Sequence, residues 1–157
     1  MVGTVYFIDT NILMYARGKD HPYKKPCADL VFKIADGTFE KNLGFPVIDS
    51  EVFQEIIYRY ALVGEWSTAL SVCKDVYALG IEILSIGNPE VKKLLELTEK
   101  YVKSKIAPRD LIHAAVMLTN DIKNIITADA HFDLIKEVRR FDPAKLNLKN
   151  GEKKTSK

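Results

Sequence analysis

The chain has 157 residues, 47% of them hydrophobic, and a formal net charge of +2. That length suits one domain, and the hydrophobic fraction is normal for a chain that buries a real core. The apolar runs are strand-sized or amphipathic and no basic leader precedes the first, so neither a signal peptide nor a membrane span is expected and the cytoplasm is the expected location.

Apolar runs alternate with helical patterns along the chain, which predicts a parallel sheet with crossover helices. The first strand is predicted over Thr4–Ile8, apolar throughout as a strand buried on both faces should be. It ends in Asp9-Thr10-Asn11, where Asn11 can cap a short helix. Arg17-Gly18-Lys19-Asp20-His21-Pro22 breaks that helix, and a second follows over Tyr23–Ile34, ended by Asp36-Gly37. Leu43–Ile48 reads as a strand that Pro46 would place at an edge.

Asp49 and Ser50 then offer N-caps for a helix from Glu51 to about Leu62. Gly64-Glu65-Trp66 turns into a helix over Ser67–Leu79, closed by Gly80. Ile81–Ile86 reads as the third strand. Asn88 as cap and Pro89 at the first position start a helix to about Val102. Ala107-Pro108 starts another, to about Leu118. Asn124–Ala128 is the fourth strand, Phe132–Val138 a helix and Val138–Phe141 a short last strand. The domain is assigned to residues 1–144. Residues 145–157 carry five lysines against one glutamate and no periodicity, and read as a basic, disordered tail. Cys27 and Cys73 lie too far apart for a metal pattern and read as buried thiols.

Four acids stand at places such a fold would aim at one rim. Ligands of open parallel sheets bind beyond the carboxyl ends of the strands. Asp9 and Asp129 each follow a strand, and Glu55 and Asp110 lie early in helices. Acids gathered without matching bases repel one another unless a cation sits among them. Hard oxygen ligands suit Mg²⁺ or Mn²⁺, and metal-assisted phosphodiester cleavage is the corresponding chemistry. Each acid also has a structural explanation. Asp9 and Asp129 could cap turns, Asp110 could serve the helix dipole, and Glu55 could pair with Arg59. Glu51, one turn before Glu55, is a rival that the residues alone leave open. His113 reads as a packed residue or one behind the ligands, not as a ligand.

Together the segments Val5–Asn11, Ser50–Ile56, Arg109–Ala115 and Ile125–Phe132 resemble the PIN domain family of metal-dependent ribonucleases, in family order, over about Val5 to Phe141. The resemblance implies a three-layer α/β/α sandwich around a parallel sheet of four to five strands. It implies catalytic and metal roles for Asp9, Glu55, Asp110 and Asp129, and favours Glu55 over Glu51. Asp133 matches a further acid found in some members and is a further candidate metal ligand. Asn11 and Thr127 match residues that support the acids.

The implied activity is Mg²⁺- or Mn²⁺-dependent endonucleolytic hydrolysis of single-stranded or structured RNA. The implied context resembles VapC-type toxins, homodimers silenced by a small antitoxin. Alternatives are an RNA-processing nuclease without an antitoxin, and a PIN-like module that binds RNA or protein without turnover. A haloacid-dehalogenase-like phosphatase would want Asp at position 11, and a nucleotide-binding enzyme a glycine-rich phosphate loop, which is absent. Arg17, Lys19, Lys24, Lys25 and Arg109 are candidates to attract the polyanion.

Overall fold

The computed structural model describes residues 3–148. Five parallel strands form one sheet in the order β3-β2-β1-β4-β5. The strands are β1 (Val5–Ile8), β2 (Phe45–Asp49), β3 (Glu82–Leu84), β4 (Asn124–Ile126) and β5 (Arg139–Phe141). Helices α1 (Thr10–Arg17), α2 (Lys24–Ala35) and α3 (Thr38–Asn42) join β1 to β2. Helices α4 (Glu51–Ala61) and α5 (Trp66–Ala78) join β2 to β3, and α6 (Asn88–Tyr101) and α7 (Pro108–Thr119) join β3 to β4.

Helix α1 packs on α2 and α4, and α4 on α5, whereas α6 packs on α7. Right-handed crossovers explain the two groups: the path β1→β2→β3 advances one way and the return to β4 reverses it, giving helices on both faces. The strand order reverses beside β1, so the carboxyl ends of β1 and β4 flank the crevice where such sheets bind ligands. The core follows the strand pattern. Phe7 and Ile8 of β1, Val47 and Ile48 of β2, and Ile125 and Ile126 of β4 are all buried, as expected of strands covered on both faces.

Several sequence expectations need correction. Pro46 does not make β2 an edge strand, because β2 lies between β1 and β3. Phe45 N–H donates to Thr4 O at 2.8 Å, and β3 pairs only from Val47 onward. The missing donor of Pro46 therefore falls where no strand needs it. Next to it, a Cβ at Gly44 would sit 2.1 Å from the Thr4 carbonyl oxygen, so the strand start requires glycine. The cap of α1 is Asp9 rather than Asn11, and that of α6 is Gly87, whose N–H donates to Glu90 Oε2 at 2.9 Å. Helix α3 was missed because five residues are too few to show a period. The expected helix over Phe132–Val138 is a 3₁₀ turn at Ala130–Leu134. Residues 145–148, expected in the tail, reach the body: Leu146 packs against the core and Leu148 is buried. The remainder of that expected tail lies outside the described residues.

Candidate active site

Strand β1 delivers Asp9 to the rim, where its N–H still donates to Ile126 O of β4 at 3.1 Å. The side chain is 4% exposed. Its Oδ1 accepts from Thr10 N–H at 2.8 Å, and its Oδ2 accepts from the Thr127 hydroxyl at 2.7 Å. The same Thr127 oxygen accepts from Asn11 Nδ2 and from Asp129 N–H, both at 3.0 Å. One hydroxyl thus ties the end of β1 to the end of β4 and orients the first acid. Capping and presentation of Asp9 are therefore not alternatives, because different oxygens serve each.

Glu55 lies one turn into α4 and is 5% exposed. Its Oε1 is 3.4 Å from His113 Nε2. Its Oε2 is 3.9 Å from Arg59 and 3.8 Å from Arg109. Burial works to raise its pKa, but the hydrogen bond and charge of His113, the neighbouring Thr10 hydroxyl and Arg59 bring it below the ordinary value. That Thr10 hydroxyl is buried and makes no hydrogen bond of standard geometry among the described residues, so it acts on Glu55 by proximity. Glu51 is half-buried; burial first, then the charge of Asp49, raises its pKa.

Asp110 sits in the first turn of α7 and is 7% exposed. Burial, followed by the like charges of Asp9 and Asp129, pushes its carboxyl up to about 7. Asp9 is also raised, by burial first, with His113 and Thr127 partly opposing. Asp129 closes the group at the end of β4, where its Oδ1 accepts from His131 N–H at 2.9 Å.

Two residues not singled out from the sequence as partners underlie this group. His113 and Asp49 are both fully buried, with His113 Nδ1 2.7 Å from Asp49 Oδ2. Asp49 Oδ1 also accepts from Val52 N–H at 3.2 Å, the capping role expected of it. His113 Nε2 faces Glu55 and lies 3.9 Å from Asp9 Oδ1. Carboxylates only accept, so both ring nitrogens carry protons and the ring is an imidazolium. Burial lowers its pKa, but hydrogen bonds to Asp49 and Glu55 outweigh that and raise it to about 10. The one available signal was His113 one turn after Asp110; nothing local paired it with Asp49.

The donor set fits a divalent cation. Carboxylate oxygens of Asp9 and Glu55 lie within 4.8 Å of each other, with the His113 imidazolium behind them, and Asp110, beside them, is a buried carboxyl whose pKa is raised first by burial and then by the charges of Asp9 and Asp129. A cation there would offset the like-charge part of that shift. Asp133 is engaged differently, its Oδ1 3.1 Å from Arg140 Nε in an exposed pair. Among the expected basic residues, Arg17 pairs with Asp75 and Lys25 with Asp29. Lys24 is half-buried, and Lys19 is exposed. Arg109 alone of the five lies against an acid of the site, and Arg59 joins it.

The PIN domain family model matches residues 6–138. Ribonuclease VapC23 of Mycobacterium tuberculosis is 31% identical over 123 residues, which are 78% of this chain and 91% of that protein. Ribonuclease VapC13 of the same species is 28% identical over 134 residues, 85% of this chain and 97% of its own length. Among solved structures, VapBC2 from Rickettsia felis bound to a promoter DNA fragment matches with a TM-score of 0.67 and 21% identity, covering 88% of this chain and 98% of that one. VapBC-1 from nontypeable Haemophilus influenzae matches with a TM-score of 0.64 and 17% identity, covering 90% of this chain and 100% of that one. These two structural likenesses concern the fold.

Proposed function

The chain belongs to the PIN domain family, and on that premise we propose that it is a divalent-metal-dependent endoribonuclease, the toxin of a toxin–antitoxin pair. The observation that carries this reading is the convergence of buried acids from separate elements, Asp9 after β1, Glu55 of α4 and Asp110 of α7, with oxygens of Asp9 and Glu55 within 4.8 Å. A fold gains nothing from crowding acids unless a cation uses them. The relatives named as ribonucleases supply the substrate class.

Asp9, Glu55, Asp110 and Asp129 would hold Mg²⁺ or Mn²⁺. When bound, such a cation acidifies water and offsets charge that develops on phosphoryl oxygens. The rest falls to the chain's own residues. Thr127 and Asn11 hold Asp9 in one rotamer. His113 fixes Glu55 from beneath. Arg109 and Arg59 stand at the Glu55 carboxylate as positive charge for the phosphate backbone, and no side chain is required as a nucleophile.

Protein partners enter on the same reading. The solved neighbours include a toxin-antitoxin complex from Klebsiella pneumoniae, and a small antitoxin is the partner proposed here. Tyr58, Leu62, Val63 and Trp66 are exposed large hydrophobics around the end of α4 and the start of α5, an apolar surface that suits a protein partner or a homodimer contact. Among the described residues no helix is long and apolar enough to cross a membrane, and a cytoplasmic location is part of the proposal.

The test is cleavage of single-stranded RNA by purified protein in Mn²⁺, in Mg²⁺ and in excess EDTA. Turnover with either ion and none in EDTA is expected. Equal cutting in EDTA would overturn the metal-dependent reading, and no cutting under any condition would favour a module that binds without turnover.

A further inference from the structure

Beside the acids, the surface opens into two clefts that share Asn11, Tyr15 and Arg59. One, of about 550 Å³, continues to Asp129. The other, of about 360 Å³, continues to Lys19 and His21. Both volumes lie in the range that holds a small ligand. The shared residues make them one continuous path leading away from the acid group.

An aromatic cluster forms part of this path. The rings of Tyr15 and His21 stack with centroids 4.6 Å apart and planes 26° apart. Tyr23 adds a third ring, 5.9 Å from His21 at 15°. Tyr23 N–H donates to His21 Nδ1 at 3.1 Å, which holds the imidazole in place. The rings are thus ordered before any ligand arrives, and binding loses less rotamer entropy.

Charge is placed alongside. Arg59 is partly exposed and lies 3.9 Å from Glu55. Lys19 is exposed and lines the same cleft as Asp20. Arg59 and Lys19 are positive charges along the path, Arg59 standing between the rings and the acids. Stacking faces next to cationic side chains are the means by which proteins hold single-stranded nucleic acid, since a duplex keeps its base faces covered.

We propose that this path is a nucleobase subsite: the base of a nucleotide adjoining the scissile phosphate stacks on the Tyr15–His21 rings, and its phosphate faces Arg59 and Lys19. The proposal rests on the ribonuclease reading and adds to it a preference for unpaired RNA. Because stacking reads a π-face and not a hydrogen-bond pattern, the subsite tolerates any base.

The test measures binding without turnover. The full chain in EDTA is titrated against a labelled single-stranded oligoribonucleotide of mixed sequence, the same strand with abasic residues, and its duplex. The variants are His21→Ala, Tyr15→Leu and Tyr15→Trp, each checked by thermal melting. His21 is exposed, so its loss leaves the core untouched. Removing one stacking partner should weaken binding of the intact strand about tenfold, the loss of one stacked base, and Tyr15→Trp should retain most of the affinity. The abasic strand and the duplex should bind weakly and respond little to these substitutions.

Equal binding of intact and abasic strands would overturn the subsite, as would wild-type affinity in both His21→Ala and Tyr15→Leu; contacts would then be to phosphate alone. The same preparation is assayed for cleavage in Mn²⁺. Cleavage with no stacking effect removes the subsite and keeps the nuclease. A stacking effect without cleavage removes the nuclease and keeps a single-strand-binding site. A wild type that neither binds nor cleaves defeats both.

Discussion

His113 Nδ1 lies 2.7 Å from Asp49 Oδ2, and neither side chain has exposed surface. The other nitrogen of the ring, Nε2, meets Glu55 and Asp9. One internal cation therefore serves three carboxylates, and it does so from inside the core, beside the Phe7 ring at 5.2 Å.

This pair should behave as a unit. His113→Ala leaves Asp49 buried without its partner, a change that costs about 3–5 kcal/mol. In a cycle of Asp49→Asn, His113→Gln and the double variant, urea unfolding should show a coupling energy of about 1–3 kcal/mol. Additive losses would mean that the two groups act independently.

Stability without metal should fall as pH rises. Asp110 has a folded-state value of about 7 against an ordinary 3.8. It is neutral in both states in strong acid and is penalised in the folded state once ionised, so stability declines from about pH 4 to 7. His113 has a folded value of about 10 against 6.5. Its contribution is complete below 6.5 and disappears as pH climbs toward 10. Both act in the same direction, and the lowered Glu55 opposes them only in acid, below its ordinary value of 4.5. Protein in EDTA should melt at a lower temperature at pH 9 than at pH 6. A flat melting profile across that range would contradict these charges.

Divalent metal should reverse the trend. A cation that binds only the folded state at a concentration of 100 Kd adds about 2.7 kcal/mol. Binding needs ionised carboxylates, so Mn²⁺ should raise the melting temperature more at pH 8 than at pH 5. Calorimetric titration with Mn²⁺ in place of an activity assay checks this directly, and absence of heat at pH 8 would count against the donor set.

Asp9→Asn should abolish cleavage and leave the melting temperature equal or higher, because burial already disfavours the charged form. A collapsed melt would assign Asp9 chiefly to capping α1.

Substitutions at the neighbouring acids should separate them. Glu55→Gln should remove cleavage. Glu51→Gln, outside the closest acid group, should lower it by about tenfold or less, the effect of a supporting residue. Asp133→Asn removes an exposed pair with Arg140 and should cost at most about 1 kcal/mol, with cleavage near that of the parent. Loss of metal affinity in Asp133→Asn would restore it to the donor set.

The pattern of alternation was sufficient to place β1, β2, β4 and the long helices, because a strand buried on both faces and an amphipathic helix leave local periods. It also placed Asp9 at a strand end and Asp110 in a first turn. It failed where the deciding contact was distant. Pro46 looked like an edge residue because the start of β3 cannot be read from β2. Asp49 looked only like a cap because its second partner is 64 residues away.

Sequence alone thus determined the secondary structure that carries the acids, and by resemblance the chemistry to expect of them. The tertiary structure decided which acids meet, what neutralises them and which are engaged elsewhere. Thr127 reaches Asp9 across 118 residues of chain, and Asp133 turns to Arg140. Side-chain charge and hydrogen bonding act over a few ångströms of space, and no local period records which distant residues folding will bring that close.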